Sequence, residues 1–126
     1  MIDVLASSIG WILILSGIAT AVAGLGAAVA PGPLLRLAFG VDRPEAATMF
    51  FARHWGVLIL AVGALVVYSA YAPAARLPIL VAGSVEKALI VVMIFFGPLN
   101  RTLAMTAIAA MDGLFTILYV TYLVAG

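Results

Sequence analysis

The chain has no cysteine, one histidine and only eleven formally charged side chains among 126 residues. Each scarcity excludes something. Without cysteine there are no disulfides, no thiolate metal sites and no thiol redox chemistry. A single histidine cannot supply the paired imidazoles of a membrane b-haem or a histidine-rich metal centre. A net charge of +1 offers no basic surface for nucleic acid. No Gly-rich loop with a following lysine prepares a phosphate site. Ser84 stands in no nucleophile elbow, so a Ser/His/Asp hydrolase is not indicated. No cofactor and no metal is expected.

What is abundant is apolar. Hydrophobic residues make up 67% of the chain and charged ones 9%, against about half and a quarter in a soluble domain. A domain of this size leaves too much surface in contact with its surroundings to hide that share from water. Lipid is the expected solvent, and the fold class expected is an all-α integral membrane four-helix bundle forming one domain over residues 1–126. The start, Met1-Ile2-Asp3-Val4, lacks the basic n-region of a signal peptide, so the first apolar stretch is expected to remain as a span.

Proline and glycine place the boundaries. Four spans are expected at about 4–30, 44–72, 78–96 and 101–124, each long enough to cross a bilayer. Pro31-Gly32-Pro33 should end the first, with Leu34 to Gly40 as a short interfacial piece. Asp42-Arg43-Pro44-Glu45 reads as a helix start with Asp42 as N-cap. Pro73 and Pro98 close the second and third spans. Short connections make neighbours antiparallel, giving an up-down-up-down order. No internal repeat is visible, which leaves an inverted-repeat transporter without support. In the first span Gly17, Thr20, Ala21, Gly24 and Ala28 form a small-residue face, read as a packing seam within the bundle. Arg36, Arg43 and Arg101 lie at one end and Arg76 at the other. The first end is therefore expected in the cytoplasm of a cell (inner) membrane protein, with both termini extracytoplasmic.

The candidate chemistry lies within the spans. A charge at a helix centre costs roughly 2.5–3.5 kcal/mol on insertion scales. Glu86 and Asp112 nevertheless fall roughly 12 Å and 15 Å along their expected helices, close to mid-bilayer. Lys87, Arg53 and His54 accompany them. Such groups must face the interior and satisfy one another, or line a wet cavity. Asp112, Thr116 and Tyr119 share one helical face. A cavity bounded by His54, Glu86, Asp112, Thr116 and Tyr119 is expected, with Glu86, Asp112 and His54 as catalytic candidates. Arg53, Trp55, Lys87, Thr116 and Tyr119 are the substrate-binding candidates. Buried carboxylates of this kind can donate or accept protons. The plainer readings are an ion pair fixing the helices, a snorkelling Arg53, and ordinary aromatic packing for Trp55 and Tyr119. Glu86 and Lys87 are adjacent, about 100° apart around a helix, and cannot point the same way.

Arg-His-Trp-Gly at 53–56, Glu-Lys-Ala at 86–88 and Met-Asp-Gly at 111–113, on four spans, resemble small bacterial membrane proteins of the DoxX-like type. A looser architectural likeness, resting on Glu86 and Asp112, is to the sterol-isomerase and sigma-2 four-helix membrane fold. That likeness implies a lipid-like ligand between helices beside buried acids. Three functions follow as expectations. The first is binding of a hydrophobic small molecule, with cofactor-free acid–base isomerisation, cyclisation or epoxide opening. The second is a non-catalytic accessory subunit whose polar residues meet a partner helix. The third is a small proton-coupled transporter working as a homodimer.

Overall fold

A computed structural model describes residues 2–125. Among them it has five α-helices and one short 3-10 turn: α1 Ile2–Val29, α2 Pro31–Phe39, α3 Ala46–Tyr71, the turn Pro73–Ala75, α4 Arg76–Phe96 and α5 Leu103–Ala125. Four of the helices are long and apolar enough to cross a membrane. Their outward faces are themselves apolar, with Trp11, Leu15 and Val22 on α1, Phe50 and Leu58 on α3, and Ile117 and Val124 on α5 all exposed.

The helix ends follow from capping and proline chemistry, with three departures from the sequence reading. Pro31 and Pro33 do not form a linker. They sit in the first turn of α2, where a missing N–H leaves no bond unmade. Helix α3 starts at Ala46, with Glu45 in the N-cap position and Asp42 outside. Asp42 could cap only if Arg43 were helical, and a residue preceding proline is held in extended backbone. Helix α4 starts at Arg76, so Pro78 is accommodated in its first turn.

Two connections are tied by specific caps. Gly40 ends α2 in the left-handed region at φ 69°, and the Val41 N–H returns to Leu35 O at 3.0 Å. Thr102 caps α5: its Oγ1 accepts from Met105 N at 3.0 Å and donates to Ala38 O at 2.6 Å. One hydroxyl thus fastens the end of α2 to the start of α5.

The helices associate as two pairs. In the first, α1 and α3 meet backbone to backbone. Gly24 faces Gly56 and Gly17 faces Gly63, so the residue order reverses between the partners. A Cβ at Gly24 would lie 2.6 Å from Gly56 O, and one at Gly63 would lie 2.6 Å from Gly17 O. Only glycine permits this approach, the usual means of close helix contact in lipid. In the second pair, Leu80, Lys87 and Ile94 of α4 run against Tyr119, Asp112 and Met105 of α5. All six stand at seven-residue spacing. Apolar clusters lie at both ends, around Leu80 with Tyr119 and around Ile94 with Met105. Between them is a polar layer.

Candidate functional site

That layer is centred on Lys87, which α4 turns fully inward at 1% exposure. Its Nζ lies 3.1 Å from Asp112 Oδ1 and donates to Thr20 Oγ1 at 2.7 Å. The ammonium also sits 5.4 Å from the centre of the Phe115 ring, within range of a cation–π attraction. Thr20 passes the chain of hydrogen bonds on by donating to Ser16 O at 2.8 Å. Ser16 Oγ and the Tyr119 hydroxyl bond each other, and both side chains are fully buried. Tyr119 stacks on Phe115 and packs beside Gly83.

The α1 partners, Ser16 and Thr20, were not among the site residues read from the sequence. The sequence places Thr20 on the packing seam of the first span. The available signal was two hydroxyls at i and i+4 on a span without charge. In an apolar interior an ammonium needs oxygens on every helix it faces, and α1 could supply no others at that height. Ser84 is also buried, but its Oγ is without a hydrogen-bond partner among the described residues.

The candidates do not share one cavity. Asp112, Lys87 and Tyr119 form the interior layer. Thr116 stands beside it with its hydroxyl spent on its own helix, donating to Asp112 O at 2.8 Å. His54 is exposed on the outer face of α3. Arg53 neither pairs with a carboxylate nor reaches the layer. Its Nε donates to Ala28 O at 3.0 Å, where α1 ends with unmet carbonyls and the negative end of its dipole.

Glu86 and Trp55 both lie on the α3–α4 flank. Arg76 of α4 holds the Pro73–Ala75 end of the two helices together, donating to Ser69 O and Ala70 O of α3, and farther along them lies a groove of about 870 Å³. Helix α2 floors it with Leu34, Leu35 and Phe39. Phe51, Trp55, Leu58 and Leu65 of α3 form one wall, and Leu89, Ile90 and Met93 of α4 form the other. Glu86 is the one ionisable side chain that lines it. Among the described residues the Lys87–Asp112 contact is the sole ion pair, and the Glu86 carboxyl has no hydrogen-bond partner. No three His, Asp or Glu side chains gather into a metal-binding set among the described residues.

Comparison of the chain with protein-family models, with curated proteins and with solved structures returns no match in any of the three. The chemistry on which a function could rest lies in the two polar sites. They offer different chemistry. The Lys87 layer matches its charges within the chain, with Lys87 buried and Asp112 partly so, and none of its residues lines the groove. The groove is open, large and apolar, with a single unmatched carboxyl.

Proposed function

We propose that this chain is a multi-pass protein of a bacterial inner membrane that binds a hydrophobic, lipid-like small molecule in the α2–α3–α4 groove, with Glu86 as its polar contact. The groove carries this reading. A cleft of about 870 Å³ lies within the range of about 300–1,000 Å³ typical of small-molecule sites, which are mostly apolar with a few polar groups. In an up-down-up-down arrangement of four spans, its mouth opens sideways to the acyl chains, the route by which such a molecule would arrive. The arginines favour a cytoplasmic α2 end, with both termini extracytoplasmic. The inner-membrane assignment follows the resemblance to small bacterial four-helix membrane proteins.

Binding is favoured over catalysis by a carboxylate pair. Such chemistry would need Asp112 in the groove beside Glu86, and Asp112 is held by Lys87 in the interior. An accessory role built on Lys87 is likewise disfavoured. Lys87 finds its oxygens within its own chain and presents nothing to a partner helix.

The test is native mass spectrometry of protein extracted in mild detergent. The wild type should carry a hydrophobic small molecule in stoichiometric amount. Ala61→Trp, which places an indole in the groove, should be empty. Equal loading of the two proteins, or an empty wild type, would remove the groove as the binding site.

A further inference from the structure

The charges within the spans do not balance evenly in space. Lys87 and Asp112 neutralise each other at 3.1 Å. Arg53 sits against the carbonyl end of α1. Of the four charged side chains deep in the spans, Arg53, Glu86, Lys87 and Asp112, Glu86 alone has no partner among the described residues, and it lines an apolar groove. Lys87 is adjacent in sequence, yet it is rotated about 100° around α4 and its ammonium is bonded to Thr20 and Asp112.

A lone carboxylate at that depth is costly, and such residues in spans usually face a partner or a ligand pathway. What the groove lacks is one positive charge. A metal ion would not supply it well, because hard cations need several oxygen ligands and the walls offer little beyond Glu86 and Thr48. An apolar molecule bearing a single cation would. Its body would fill the groove and its charge would face Glu86. Trp55, on the same wall system, adds an indole ring, the side chain that attracts cations most strongly. An anionic amphiphile of the same shape would meet like charge, and a neutral lipid would leave the carboxylate unmatched.

Accepting the groove as a ligand site, we propose that its ligand is a lipophilic monocation, an amine or quaternary onium carrying apolar groups, paired with Glu86.

Two ions of nearly equal shape and opposite charge separate this from non-selective lipid binding: tetraphenylphosphonium and tetraphenylborate. Their binding to the purified protein in neutral-lipid nanodiscs is read from the emission of Trp55. Trp11→Phe removes the other tryptophan, which is exposed on α1. The phosphonium should bind saturably and the borate should not. Glu86→Gln should weaken the phosphonium by about thirtyfold or more, as expected when one side of a close charge pair in a low-dielectric site is removed. Glu86→Asp should restore much of the difference. Equal binding of the two ions, or a preference that survives Glu86→Gln, would overturn the monocation. In those cases the native mass spectrum of Ala61→Trp still reports on the groove: lost loading keeps it as a site for uncharged lipid, and unchanged loading removes the site as well.

Discussion

Helix α3 has two long neighbours and meets them in opposite ways. Toward α1 it presents Gly56 and Gly63, and the backbones close to contact distance. Toward α4 it presents Phe51, Trp55, Leu58 and Leu65, and the helices stand apart around a groove. Burying apolar groups supplies no drive between helices surrounded by lipid, because acyl chains are as apolar as leucine. What closes an interface there is close packing and polar contact. The α1 side has the first through its glycines, and the interior has the second through Lys87. The α3–α4 flank is hydrogen-bonded at its closed end, where Arg76 donates to Ser69 O and Ala70 O, but along the groove it has large side chains and one carboxyl without a partner. Being apolar is thus not what makes an interface in this molecule. The open flank is as hydrophobic as the closed seam.

The sharpest way to break the closed side is to remove half of its charge pair. Asp112→Ala leaves the Lys87 ammonium buried without its counter-charge. It should cost about 3–5 kcal/mol in a denaturant titration of the detergent-solubilised protein. Replacing both partners, Lys87→Met with Asp112→Leu, should recover most of that loss. If the double variant is as unstable as the single one, the layer does more than satisfy its own charges. Next in size is Gly24→Ala, whose Cβ would press on the Gly56 backbone. Because neither backbone can turn aside, about 1–3 kcal/mol of destabilisation is expected.

A glycine outside the seam gives the opposite sign. Gly26 has nothing within 4 Å of a Cβ placed on it. Gly26→Ala should therefore raise stability by about 0.5–1 kcal/mol through helix propensity alone. A loss at Gly26 equal to that at Gly24 would mean that glycine content, and not the seam, sets the stability. On the open flank, Ala61→Trp should leave the melting temperature almost unchanged, within about 0.5 kcal/mol, while emptying the groove. A large loss of stability there would show the flank to be closed in the membrane.

Much of this architecture could be read from the residues. The four long apolar helices, the break at Pro31 and the small-residue face of α1 all rest on local chemistry that tertiary contacts did not override. The rotation of each helix about its axis could not be read. A soluble helix declares its buried face by polar residues opposite, but these spans are apolar all round, so periodicity says little about which side faces in. That is why His54 could be grouped with Asp112 when it lies on the outer face of α3. The different directions of Glu86 and Lys87, about 100° apart, follow from helical geometry. Which of them turns inward depended on Ser16 and Thr20, distant in sequence and unremarkable in type.

The paired glycines also act mechanically as a detent. Gly17 and Gly24 mate with Gly63 and Gly56, and the next matching register lies seven residues away, about 10.5 Å along the axis. Small axial slips would drive a Cβ-bearing residue into the opposing backbone, so α1 and α3 move as one strut. Thr102 pins the end of α2 to α5 and not to α4. A bulky guest would therefore part the α1–α3 strut as a whole from α4, because α3 cannot slide along α1 to make room.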